Sequence, residues 1–256
     1  VEHLDGLPFA AALYVVADLV GFVPSEPEWK RQSRERAPDL SVPERWSARR
    51  KPWPGSATWR FLQNERALPD TVLRAAVAQD VLREGPQGSM WAIHRDPSGA
   101  VTGWEERGPD WRGFATGGAK VLFRLGPADG PRLCVAEAAI DAMSLAALEE
   151  QRPDTLYLST GGGWSPASSE ALLDLAVRAD AVLVAATDNN TQGETFAERL
   201  EALAADAGSG FVRLRPELED WNEDLKARRR RKDGREEERD GCRMPAVRLK
   251  GEAPPG

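Results

Sequence analysis

The spacing of apolar positions changes along this chain, and each change marks a different kind of element. In residues 1–22, Leu7, Ala11, Val15 and Leu19 recur at helical spacing behind Pro8, which predicts a helix. Its apolar stretch is interrupted by Asp18 and falls short of the roughly 20 residues needed to span a bilayer. Residues 24–54 lose the pattern and accumulate prolines and charges, which predicts a linker. Over 58–82, Leu62, Leu68, Val72, Leu73 and Val77 form the apolar side of two short helices parted at Pro69-Asp70. Strands are predicted at 90–96 and 101–107 around a turn at Pro97-Ser98-Gly99, with a third short strand at 120–124.

Beyond residue 131 the pattern alternates. Strands are predicted at 132–136, 155–159, 181–187 and 211–214, and helices near 139–150, 166–178 and 191–206. Strands separated by helices of this length imply βαβ units and a parallel sheet. Ser165-Pro166 supplies an N-cap and first-turn pair for the second of these helices. From Ala227 few apolar residues remain, and 227–256 reads as a disordered charged tail.

Composition narrows the function classes. The 256 residues carry a net charge of −7, which excludes coating of nucleic acid by bulk electrostatics and leaves local basic surfaces. One such surface lies in 24–54, where Arg45, Arg49, Arg50 and Lys51 are interleaved with Trp46 and Trp53. That mixture suits a linker first and single-strand binding by charge and stacking second. The run Arg228–Lys232 reads equally as a solvated terminal segment or as an arm that touches phosphates. Cys134 and Cys242 provide neither a disulfide framework nor a zinc cluster, which points to a reducing, cytoplasmic setting. No basic segment precedes the first helix as in a signal peptide, and a start at Val1 suggests a processed form or a fragment. His3 and His94 lack sequence partners for a triad or zinc site. The tryptophans read as packing groups, with Trp221 the one candidate stacking platform.

Acidic residues carry the candidate chemistry. Glu137, Asp188 and Asp220 each follow an apolar run, and strand ends on one edge of an open α/β sheet meet in one crevice. Their oxygens suit Mg²⁺ or Mn²⁺, which would neutralise phosphate charge. Glu137 can ligate such an ion or move a proton; acids at a helix start are also favoured for structural reasons alone. Asn190, two residues after Asp188, can face the same cation, and Asp141 takes a supporting place one turn beyond Glu137. The glycines at 161–163 precede a helix start that can hold phosphate, but no Gly-Lys-Ser/Thr follows to make a nucleotide-binding P-loop.

The segments Val135-Ala136-Glu137-Ala138-Ala139-Ile140-Asp141-Ala142, Ser159-Thr160-Gly161-Gly162 and Thr187-Asp188-Asn189-Asn190-Thr191-Gln192-Gly193 together resemble the Toprim domain of bacterial primases and type I and II topoisomerases. Glu219-Asp220-Trp221-Asn222-Glu223-Asp224-Leu225 is similar to the closing acidic motif of the primase branch and of plasmid-borne Toprim proteins. The preceding apolar strand, Asp96-Pro97-Ser98-Gly99, second strand and Arg107-Gly108 resemble the N-terminal half of the primase core. They also resemble the uncharacterised domain that precedes Toprim in plasmid and mobile-element proteins. Residues 3–12 are similar to the helix that follows the zinc ribbon of primase-like proteins; the ribbon is absent here.

The resemblance implies an α/β fold: a Toprim-like parallel sheet flanked by helices, preceded by a small α+β module. It divides the chain into an N-terminal helix and linker (1–57), the small module (58–130), the Toprim domain (131–226) and the tail (227–256). It implies Mg²⁺- or Mn²⁺-dependent nucleotidyl or phosphodiester transfer on nucleic acid, as in primer synthesis for a plasmid or mobile element. Glu137, Asp188 and Asp220 would be catalytic, with Asn190 and Asn222 completing the metal ligands. Arg107, Lys120, Gly161 and Gly193 would meet nucleotide or template. The implied partners are single-stranded DNA or an RNA/DNA template, nucleoside triphosphates and a helicase, and no membrane. The family pattern has Asp where this chain has Asn190 and Asn222, which keeps an oxygen and removes a charge. The same fold also accommodates a nuclease, or an accessory protein that binds nucleic acid without catalysis.

Overall fold

A computed structural model describes residues 40–241, and side chains among them through residue 234. The helix expected in 1–22, the first part of the linker and the chain beyond Gly241 lie outside the described residues.

Ser41 starts the described chain with a reciprocal cap. Its Oγ accepts from the Glu44 N–H, and the Glu44 carboxylate accepts from the Ser41 N–H at 2.8 Å. The helix so begun, α1 (Val42–Ser47), buries Trp46 to 2% exposure. Trp46 lies 6.2 Å from Trp104, which stacks on Trp91 at 4.0 Å. Arg45, Arg49 and Arg83 cover the faces of Trp104, Trp91 and Trp46. Residues 42–47 are therefore part of a core and not a linker. Burial of an indole outweighs the charged composition around it, and the arginines lie along the rings while keeping their heads near water.

The small module continues with α2 (Ala57–Arg60), a π-helical turn (Phe61–Glu65) and α3 (Asp70–Ala78). Its sheet is an antiparallel meander in chain order: β1 (Leu82–Glu84), β2 (Met90–Arg95), β3 (Val101–Arg107) and β4 (Arg112–Phe114).

A second sheet follows, with β5 (Phe123–Leu125), β6 (Arg132–Ala136), β7 (Thr155–Ser159), β8 (Val182–Ala185) and β9 (Gly210–Arg213). Its order is β5-β7-β6-β8-β9, with β5 antiparallel and the rest parallel. The short strand expected in the small module is thus the edge strand of this sheet, with Phe123 opposite Ser159. Helices α4 (Ala139–Leu148), α5 (Pro166–Ala176), α6 (Thr191–Ala207) and α7 (Trp221–Gly241) flank it. Alternation along the strands feeds two cores. Cys134, Ala136, Tyr157 and Val184 pack with α4, α7 and the small module. Leu133, Val135, Leu158 and Leu183 pack with α5 and α6. The fold is α/β.

Helix α7 corrects the expected disorder from Ala227: residues 227–241 are helical. Trp221 and Leu225 are buried at its start. Arg228 Nη1 then donates to Leu148 O at 2.9 Å and Arg229 Nη1 to Gln63 O at 2.6 Å, so part of the cationic run closes helix and loop ends. Among the described residues no helix is long and apolar enough to cross a membrane.

Candidate functional site

The order of the strands puts β6 between β7 and β8, so the loops after all three leave the same sheet edge. Glu137 emerges at the end of β6. Its backbone oxygen accepts from Gly162 N–H at 2.7 Å and lies 3.1 Å from Ser159 Oγ, which ties it to the loop after β7. Its carboxylate lies 3.4 Å from Asp188 N–H, in the loop after β8. Asn189 N–H donates to Glu219 O at 2.9 Å, and this bond draws in the segment that carries Asp220. Arg213 clamps the turn from behind, donating to Ala185, Thr187, Leu214 and Asp188 carbonyls and to Glu194.

These loops open on a cavity of about 640 Å³. Glu137, Asp141, Asp188, Glu219 and Asp220 line it, with Asn190 and Gly161. The small module adds Arg107, Arg112 and Lys120 to the lining, the last with its ammonium over the Phe114 ring. The expected acids and the expected bases meet in one place.

Two residues expected there do not line it. Asn222 is 3% exposed, and its amide donates to Arg66 O at 2.7 Å and Ser144 Oγ at 3.0 Å, so it joins α7 to the small module and to α4. Gly193 turns its N–H to Asn190 Oδ1 at 2.9 Å, and a side chain at this position would collide with the Asp188 carbonyl. Its role is close packing at the start of α6. Asn190 is thereby the N-cap of α6 as well as a cavity residue. Asp220 likewise accepts from Glu223 N–H at 2.7 Å at the start of α7. Trp221 is buried and donates its indole N–H to Ala186 O at 2.7 Å, so it is a packing group and not a stacking platform.

Residues 134–225 match the family model described as Toprim-like. The chain carries a Toprim-like domain over those residues. Residues 60–130 match a second model, described as a protein of unknown function, DUF3991. No curated protein matches the chain. Among solved structures, it is similar to the primase fragment of the bacteriophage T7 primase-helicase protein, at 18% identity and a TM-score of 0.39. That match covers 60% of this chain and 64% of the fragment, so the chain spans less than two thirds of the fragment's length. It is similar also to the RNA polymerase domain of the Mycobacterium tuberculosis primase DnaG, at 14% identity, 74% and 77% coverage and a TM-score of 0.42.

Electrostatics at the edge of the Toprim sheet are unbalanced. Burial, then the charges of Glu137, Asp220 and Glu219, push the Asp188 carboxyl up to about 7. Burial and the neighbouring Asp220 and Asp188 hold Asp141 well above the usual carboxylate range, and burial raises Glu137. Asp188 Oδ1 is buried with no hydrogen-bond partner. An all-oxygen donor set with an orphaned carboxylate oxygen and mutually repelling acids fits a hard divalent cation. Among the described residues no three His, Cys, Asp or Glu side chains are already gathered as a metal cage.

Sequence reasoning missed Glu105, which is 4% exposed at the base of the cavity. Its carboxylate accepts from Ala139 N–H, from Ser159 Oγ–H at 2.7 Å and from His94 Nε2–H at 3.1 Å. His94 Nδ1 accepts from Val121 N–H at 3.2 Å, so the ring proton sits on Nε2. The signal was present: Glu105 and Arg107 lie two apart in β3 and so share a face.

Proposed function

We propose that the Toprim-edge cavity carries out Mg²⁺- or Mn²⁺-dependent nucleotidyl transfer on nucleic acid, joining nucleoside triphosphates on a single-stranded template as a primase does. One observation carries this reading: the carboxylates Glu137, Asp188 and Asp220 and the cations Arg107, Arg112 and Lys120 line a single cavity. Phosphoryl transfer needs little more than positioning and charge stabilisation, which these two sets of groups are suited to provide.

Asp188 and Asp220, with the Asn190 oxygen, would hold the cation. Bound there, it would offset phosphate charge and polarise the group transferred. Glu137, its carboxyl raised by burial, takes the proton of the attacking hydroxyl as that oxygen bonds to the α-phosphorus and pyrophosphate leaves. Arg107, Arg112 and Lys120 hold the triphosphate and the template backbone, with Gly161 bordering the cavity beside them. On this reading the protein serves replication of a plasmid or mobile element, alongside a helicase.

The test is incubation of the full chain with nucleoside triphosphates, Mg²⁺ or Mn²⁺ and a single-stranded template, followed by gel analysis of labelled products. Extension products that fall by about 10²–10⁴-fold in Glu137→Gln support the reading. Shortened template would make the site a nuclease. Neither product, with template binding retained, would make the protein a binding module without catalysis.

A further inference from the structure

Most of the described tryptophans are in the core, but Trp53 is 43% exposed and Trp111 is 61% exposed. Both border clefts away from the Toprim-edge cavity. Trp53 lines one of about 650 Å³ together with Arg49, Arg50 and Arg60. Trp111 lines the next, and the two clefts share Pro86 and Gln87. The second cleft reaches Glu106 on β3, whose side chain points away from the face that carries Glu105 and Arg107. The two clefts therefore form one exposed surface from Trp53 past Trp111, on the face of the small sheet opposite the cavity.

The first cleft is electropositive. Its one carboxylate, Glu84, is paired with Arg50 at 2.8 Å. Among the described residues no carboxylate pairs with Arg49 or Arg60. The Arg50 guanidinium lies 4.3 Å from the Trp53 ring centre and so braces the indole. Nothing in the core requires Trp53 to sit on this rim.

We propose that this cleft is a docking site for single-stranded nucleic acid, with phosphates on Arg49 and Arg60 and an unpaired base stacked on Trp53. The choice of occupant follows from the pairing of groups. A duplex offers phosphates but no open base, and an acidic peptide would use the arginines and leave the indole idle. An unpaired strand uses both. The inference rests on the reading that this protein acts on nucleic acid, and it adds a binding surface outside the reacting cavity.

The experiment is fluorescence anisotropy of the full chain with a labelled oligothymidylate in EDTA, so that binding is read without cavity chemistry. Trp53→Ala should weaken binding about tenfold, and Trp53→Phe should restore most of it. The double variant Arg49→Ala, Arg60→Ala should reduce the slope of log K against log salt by about 1.4, from roughly 0.7 per phosphate contact. All three positions are exposed, and unchanged circular dichroism confirms that the variants fold. Wild-type affinity in Trp53→Ala, or equal weakening of a duplex of the same length, overturns the proposal. Primer synthesis with unchanged Trp53→Ala binding would remove the cleft and leave the cavity reading intact. Weakened binding without synthesis would do the reverse.

Discussion

Glu105 of the small sheet receives the Ala139 N–H between its two carboxylate oxygens, at 3.0 and 3.2 Å. Ala139 opens the helix that follows Glu137, so a residue of one module sets the entry of a helix in the other. Burial works against the Glu105 charge, yet the His94, Ala139 and Ser159 hydrogen bonds hold its carboxyl below the usual value of 4.5. Its stabilising contribution is therefore present at neutral pH and is lost as the pH falls through the lowered folded value. Glu105→Ala leaves three buried donors unmatched and is expected to cost about 3–5 kcal/mol in urea unfolding at pH 7.

Asp188 has the opposite sign. Its folded value of about 7 lies above the ordinary 3.8, so the stability of its protonated form is present below about pH 4 and lost as the pH rises through 7. Asp188→Asn removes that loss. The variant is expected to be more stable than the parent by about 1–2 kcal/mol at pH 8, after discounting for solvent screening, and equal to it near pH 4. Thermal melts at the two pH values check this. Mg²⁺ should raise the melting temperature of the parent at pH 8 and leave that of Asp188→Asn almost unmoved.

Asn190 caps α6 through its side-chain oxygen and also lines the cavity. Asp at this position keeps the cap, favours the helix N-terminus and adds a charge beside Asp188. Asn190→Asp is expected to tighten Mg²⁺ or Mn²⁺ binding in a calorimetric titration. Unchanged or weaker binding would remove position 190 from the metal site.

Asn222 behaves as a structural residue. Its amide serves Arg66 and Ser144, so Asn222→Ala should cost about 1–3 kcal/mol of stability. Divalent-metal affinity, measured on the folded variant, should stay at the parent value. A large loss of affinity with unchanged stability would contradict the placement.

The sequence by itself determined the alternation of β6 to α6 and the placement of Glu137 and Asp188 at strand ends. Those features depend on local periodicity and on short-range capping, which are written in consecutive residues. Strand order decided that the loops after β6, β7 and β8 converge, and no local pattern carries strand order. The same limit explains Phe123–Leu125, whose composition suits either sheet and whose partner is settled by the edge left open beside β7. Asn222 resembled a ligand in its motif, but the helical turn from Trp221 directs it into the contact with Arg66 and Ser144. Trp46 and Arg228 resembled linker and tail in composition, and only the tertiary structure supplied the indole stack and the carbonyl that order them. Glu105 shows the division most plainly: its strand was predictable, while the helix end, hydroxyl and imidazole that make its burial tolerable come from three separate segments.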